Sequence, residues 1–412
     1  MIYREVGQFK TDYKSDSATF PIAQDRMGIA VMLVLALVVV PLYGHYSSNG
    51  EFFINGIMLP FMIFSLATVG LNILMGYAGQ LSLGTGAFSG VGAYACYKLY
   101  TFFPEINIII LVLVSGFFAA GIGLIFGLPS LRIKGLYLAV TTLAAQFFLE
   151  WCFIRVEWLY NYDPSGAIIV PDIMSFGVII AGPGADPVLK YIIVTLLVIA
   201  MTWIASNIIQ GRIGRAWMMI RDMDIAAELM GVKPLAAKLS AFAVSSFYCG
   251  VAGALMVFFW LGAAEVESFD ILHSFLFLFM VIIGGMGSLI GSFMGAAFIW
   301  ILPIIIKFLP ATVGVEVSAA TVEHVNFMIV GALIIFFLAV ALTGEAFIME
   351  RAGGLLERSR VAGVRPSEIL ASHIIIQCLV MVVQTVITLS FILVVFRNAF
   401  KRNNSTFKIM NH

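Results

Sequence analysis

The stretch GYAGQLSLGTGAFSGVGAYA, Gly76 to Ala95, places six glycines in twenty residues inside a long apolar region. Glycine is among the worst helix formers, because it surrenders the most backbone freedom on ordering. Two roles can justify it here. Small residues let membrane helices approach closely, and Gly86 and Gly90, four apart, share one helical face. Gly76, Gly79 and Gly84 instead stand among Gln80, Ser82 and Thr85. Non-helical backbone at membrane depth is tolerated only where it is buried in protein or lines a water-filled cavity. The stretch therefore divides. Residues 76–85 read as a break or re-entrant turn, and Gly86, Gly90 and Gly92 read as a packing face. Gln80, Ser82 and Thr85 are candidates for a polar substrate path; the competing reading gives all six glycines to close packing.

The whole chain agrees with a membrane setting. Its 412 residues are 61% hydrophobic and 11% charged, with a mean hydropathy of +1.03, against about 25% charged in soluble domains. The expected fold class is all-α. A bilayer crossing takes about 20 apolar residues, and apolar runs near 27–43, 53–75, 81–100, 106–128, 135–154, 188–208, 239–261, 273–285, 289–309 and 324–342 give about ten transmembrane helices. A further apolar helix is expected over 369–396. The chain then divides into a cytoplasmic N-terminal segment, 1–26, a transmembrane domain, 27–342, and a C-terminal extension, 343–412. The run at 273–285 is short and ends in GGMGS, Gly284 to Ser288. Either two short helices meet there or one long helix is broken. Gly284, Gly285 and Ser288 join the candidate path residues on this account.

Orientation follows from loop lysines and arginines. With the N-terminus inside, the inner segments up to residue 342 hold eleven of them: Arg4, Lys10, Lys14, Arg26, Arg132, Lys134, Arg212, Arg215, Arg221, Lys233 and Lys238. The outer segments hold four: Lys98, Arg155, Lys190 and Lys307. Net charge is zero, so nothing points to nucleic acid. Cys96, Cys152, Cys249 and Cys378 have no metal-ligand or redox spacing and read as buried small hydrophobes. Glu150 reads as an interfacial partner of Arg155, against a substrate-amine site, and His273 as an interfacial residue with no cluster around it. There is no nucleophile triad, paired-carboxylate or His-Glu-x-x-His arrangement to support an enzyme.

The longest inner loop, 209–238, contains GRIGRAWMMIRDMDIAAELMGVKPLAAKLSAF, Gly211 to Phe242. It predicts a short helix near 222–231. Asp222 or Asp224 is available as its N-cap, Gly231 can close it in a left-handed conformation, and Pro234 prevents continuation. Ile225, Ala226, Leu229 and Met230 form an apolar face. Two turns of helix are marginal alone, so that face needs a partner, in this chain or another.

DIAAELMG, Asp224 to Gly231, resembles the Ala-Ala-xxx-Gly loop of importer permeases of the ATP-binding-cassette class. GYAGQLSLGTGAFSGVGAYA, GLPSLRIKGLYLAVTTLAAQF (Gly127 to Phe147), GRIGRAWMMIRDMDIAAELMGV and MVIIGGMGSLIGSFMGAAFIWILP (Met280 to Pro303) resemble, in order, blocks of the branched-chain amino acid permease family over about residues 28–338. The resemblance implies a permease subunit of an ATP-driven importer in a bacterial inner membrane, moving branched-chain or related amino acids. It implies a second related permease subunit, ATPase subunits and a periplasmic binding protein as partners. It makes the short helix a coupling helix seated in a groove of the ATPase, with Arg221 and Asp224 for polar contacts, Ile225, Ala226, Leu229 and Met230 for burial, and Ala227 and Gly231 completing the motif. The family usually has Glu before the two alanines; here Ile225 stands there. No Gly-Lys dipeptide occurs, so this chain has no phosphate-binding loop and no cofactor of its own is expected. The outer loop from Arg155 to Leu189 fits a platform for the binding protein or an ordered cap. The tail departs from the family. Residues 345–396, including ERAGGLLERSRVAGVRPSEILASHIIIQCLVMVVQTVITLSFILVVF (Glu350 to Phe396), resemble part of a eukaryotic-type exporter permease, and admit a true span, a fusion or a gene-model error. The alternative functions are a stand-alone secondary transporter or channel, and a structural membrane subunit.

Overall fold

A computed structural model describes residues 23–130, 137–175 and 177–312, together with Met328 and Gly331. The expected span at 324–342, the C-terminal extension and most of the N-terminal segment lie outside the described residues, as do residues 131–136 with Arg132 and Lys134. All elements described below fall in one compact unit, Met1–Val322.

The protein is an all-α polytopic membrane protein with very little sheet. Its helices are α1 (Arg26–Tyr46), α2 (Gly50–Tyr77), α3 (Thr85–Phe102), α4 (Ile108–Ser130), α5 (Tyr137–Arg155), α6 (Pro187–Gln210), α7 (Arg212–Asp222), α8 (Asp224–Leu229), α9 (Pro234–Leu261), α10 (Ile271–Gly284) and α11 (Leu289–Thr312). Among the described residues, seven helices are long and apolar enough to cross a membrane: α1, α2, α4, α5, α6, α9, and α10 together with the turn that precedes it. α3 and the apolar part of α11 complete the bundle.

α2 and α9 form its centre. Each is a 28-residue helix, mostly buried, and α9 packs on α2, α3 and α4. Small residues make this possible. A Cβ added to Gly92 of α3 would lie 2.0 Å from the carbonyl oxygen of Gly250 in α9, and one on Gly253 would lie 1.9 Å from that of Ser89. Gly70, Gly116 and Gly123 make comparable approaches to α9 through Tyr248, Phe247 and Ser246. Lipid is as apolar as leucine, so this packing, not water exclusion, holds the helices together. Cys96 and Cys249 are buried in it as small side chains.

The loop after α5, expected on the outer side, carries β1 (Ile168–Ile169), β2 (Ile173–Ser175) and β3 (Val178–Ala181); β2 and β3 form an antiparallel hairpin. β1 pairs with β4 (Ala263–Ala264), just past α9, with Ile168 opposite Ala264. Lys98 of α3 donates to Asn161 Oδ1 and lies 4.4 Å from the Trp158 ring centroid. The outer loop is thereby tied to α3 and α9. Glu150 does not pair as expected from its proximity to Arg155: its carboxylate accepts from Gln146 Nε2 one turn away at 2.7 Å, which is the nearer partner on the same helical face. His273 is also partnered, its Nδ1 lying 2.9 Å from Asp270 Oδ1.

Candidate functional site

The opening stretch does contain a break. α2 ends at Tyr77 and α3 begins at Thr85, leaving residues 78–84 non-helical. Gly79 adopts φ +65°, a left-handed conformation that suits glycine, and a Cβ there would lie 2.9 Å from the Arg221 side chain. The two ends of the break meet opposite ends of α10. A Cβ on Gly76 would lie 2.2 Å from the Gly287 nitrogen, just past the α10 C-terminus. One on Gly86 would lie 2.8 Å from the Asp270 carbonyl oxygen, just before its N-terminus. A helix of 14 residues is about 21 Å long, and seven extended residues reach about 24 Å. Residues 78–84 are therefore long enough to link the two ends of α10.

The protein supplies hydrogen bonds to this non-helical backbone. Leu83 N–H donates to Thr142 Oγ1 at 2.9 Å and Gln80 N–H to Leu74 O at 3.0 Å. At the start of α3, the orphan amides of Gly86 and Ala87 donate to Ser274 Oγ (2.7 Å) and Gln146 Oε1 (2.8 Å). Gln146 is fully buried and also donates to Phe269 O at 2.7 Å. Of the candidate path residues on this segment, Ser82 and Thr85 are buried and Gln80 is half-buried. Gly86, Gly90 and Gly92 lie against Ser274 and Asp270, Phe153 and Phe269, and Gly250 respectively, as a packing face.

The second glycine-rich stretch is a hairpin turn between two helices. Gly285 (φ +101°) and Gly287 (φ +81°) turn the chain, and α10 then packs against α11 through Gly284, Gly291 and Gly295. Asn72 of α2 fastens this turn. Its Nδ2 donates to Ser288 O (2.7 Å) and Ser292 Oγ (2.8 Å), and its Oδ1 accepts from Gly287 N–H at 2.8 Å. Sequence reading missed Asn72. Its only signal was a lone amide in an apolar run, and its partners stand more than 200 residues away.

The inner loop holds two helices rather than one. α7 buries Trp217 and Ile220, with Trp217 Nε1 donating to Ser240 Oγ of α9 at 2.9 Å. α8 follows after Met223. The expected aspartate cap is absent: the N-cap position is Met223, and no side chain caps the helix. Asp222 cannot serve, because it lies one place too early and its carboxylate accepts from Arg221 Nε at 2.9 Å. The other end is as expected. Gly231 has φ +89°, its N–H donates to Glu228 O, Val232 N–H donates to Ala227 O, and Pro234 opens α9.

α8 turns one alanine inward and leaves its large apolar side chains outside. Ala227 is fully buried, whereas Ile225, Leu229 and Met230 are 65%, 85% and 66% exposed. Ala226 is partly exposed, and Asp224 stands at the helix start. Asp222, Asp224, Glu228 and Lys233 surround this patch. Arg221 faces the other way: its Nη1 donates to Gly76 O at 2.8 Å. Among the described residues, no three His, Cys, Asp or Glu side chains gather as a metal site.

The structure is thus a helical membrane bundle with two glycine-rich breaks and a short helix whose large apolar side chains are exposed. The chain belongs to the family described as the permease component of the branched-chain amino acid transport system, whose model matches residues 53–338. It is similar to the high-affinity branched-chain amino acid transport system permease protein LivM of Escherichia coli (strain K12), 31% identical over 250 residues, which is 55% of this chain and 57% of that protein. It is similar also to LivM of Salmonella typhimurium (strain LT2), 30% identical over 250 residues, 55% of this chain and 57% of that protein. The match thus spans a little over half the length of these curated relatives. No solved structure matches the chain.

Proposed function

We propose that this protein is a permease subunit of an ATP-binding-cassette importer that moves branched-chain or related amino acids across the bacterial inner membrane. The observation that carries the reading is the exposure of Ile225, Leu229 and Met230 on α8. These side chains stand among the charges of Asp222, Asp224, Glu228 and Lys233, and among the described residues no helix of this chain covers them. Burying one such side chain contributes about 1.5–3 kcal/mol, so a groove that covers all three gains a firm seat. In this reading the partners in that groove are ATPase subunits, whose ATP this chain would use without binding it; membership of a transport permease family supports that class of partner. A second permease subunit and a periplasmic binding protein complete the assembly.

Gln80, Ser82, Thr85 and the turn Gly284, Gly285 and Ser288 belong to a substrate path in this reading. Broken helices are where transporters place such sites, and Gln80 with its half-buried neighbours Leu81 and Leu83 is accessible from the edge of the break. The path would be closed on its other side by the second permease subunit.

The test is reconstitution. The chain, with the ATPase and permease subunits of its own organism, is placed in vesicles with binding protein and labelled leucine outside. Uptake that requires internal ATP and is abolished by leaving out the ATPase supports the reading. Uptake of equal rate without ATPase subunits, driven by an ion gradient, makes the protein a secondary transporter and overturns it.

A further inference from the structure

The inner end of the bundle brings three segments to one point. α2 contributes Asn72 and the carbonyl of Gly76, one helical turn apart. The α10–α11 turn contributes Gly287 and Ser288, and the first turn of α11 contributes Ser292. The loop that carries α8 contributes Arg221. Asn72, with no exposed surface, uses both arms of its amide on the hairpin turn. Arg221 divides its fork, Nε to Asp222 and Nη1 to Gly76 O.

The fit is close. A methyl group on Gly76 would meet Asn72 Oδ1 and Gly287 N, both at 2.2 Å, and one on Gly79 would meet the Arg221 stem. The glycines clear the space in which the node is built. Arg221 is separated from the first residue of α8 by two positions, so a displacement of α8 reaches the node through almost no slack. Arginine suits this position because its planar fork holds two acceptors in fixed directions.

We propose that Arg221 and Asn72 are positioning residues for transport. Arg221 ties α8 to the end of α2, Asn72 ties that end to the α10–α11 turn, and the three move together when α8 is displaced. Arg221 then acts inside this chain rather than in the partner's groove, and Asn72 makes the two glycine-rich breaks a single moving part. The proposal rests on the importer reading for its role in transport, while the tie itself is a property of this chain alone.

Two measurements test it. In the reconstituted complex, Arg221→Met and Asn72→Leu should leave ATPase subunits bound and hydrolysing, while the amino acid moved per ATP falls at least fivefold. Arg221→Lys, which keeps one donor for Gly76 O, should retain more than half. A transport-to-hydrolysis ratio unchanged in both Arg221→Met and Asn72→Leu would overturn the proposal. The second measurement uses the purified chain without partners. Spin labels at Met223 and Met286, both exposed, report the separation of the α8 end of the loop from the hairpin turn. The distance distribution should broaden in Arg221→Met and in Asn72→Leu relative to the unsubstituted chain, and return toward it in Arg221→Lys. An unchanged distribution in both variants sinks the tie even if assembly fails. Absence of any ATPase from the unsubstituted complex would count against the importer reading, and the spin-label result would still decide the tie.

Discussion

α1 and α8 both present large apolar side chains to the outside, and they differ in what surrounds those side chains. α1 runs from Arg26 to Tyr46 with no aspartate, glutamate, lysine or arginine after its first residue, and Val31, Leu35, Val38 and Val39 are exposed along it. That surface matches an apolar solvent, which has no polar groups to offer. α8 is six residues long, and acidic side chains lie within, before and beside its apolar face. It stands in water. The same exposure is ordinary in the first case and costly in the second, so only the second calls for a partner. Exposure of a leucine carries information when its medium is known.

The comparison can be tested at four positions. The largest effect is expected from Val38→Asp in α1. A carboxylate in the middle of a transmembrane helix costs about 2.5–3.5 kcal/mol on insertion scales. The inserted fraction in a glycosylation-reporter assay should fall sharply; full insertion would mean that this face meets water. Next is Leu229→Asp in α8, which should leave the melting temperature of the chain in detergent unchanged and weaken ATPase capture by about 1.5–3 kcal/mol, roughly tenfold to a hundredfold. A lowered melting temperature with intact capture would place Leu229 in the chain's own packing. The smallest effect is expected from Gly121→Ala. A Cβ there meets nothing within 4 Å, so the change should stabilise α4 by at most about 1 kcal/mol through helix propensity. Gly92→Ala is its counterpart: the same methyl group would have to displace the Gly250 carbonyl, and a cost of about 1–3 kcal/mol, read as a lowered melting temperature, is expected.

The sequence carried most of the bundle plainly. Runs of apolar residues mark helices whether or not their partners are known. The two halves of the Gly76–Ala95 stretch were separable because Gln80, Ser82 and Thr85 are concentrated in the first half. The left-handed Gly231 and the Pro234 start of α9 were legible because such signals act within a few residues. What escaped was set by distant partners. Asn72 is a lone amide until the hairpin turn closes on it. Gln146 caps a helix that begins sixty residues earlier. α7 forms because Trp217 and Ile220 are covered by tertiary packing, not because its first turn is capped. At α8 the pattern named the exposed face but could not say that Ala227, rather than Ala226, would be the residue turned fully inward.

The most direct test is a cross-link from the tip of α8. A photoreactive residue at position 229, in the chain expressed with its partner subunits, should form its main adduct with an ATPase subunit. The adduct should persist when the residue is moved to position 225 and vanish at position 227, which is buried. Adducts from position 229 confined to this chain's own helices, with ATPase present, would contradict the account.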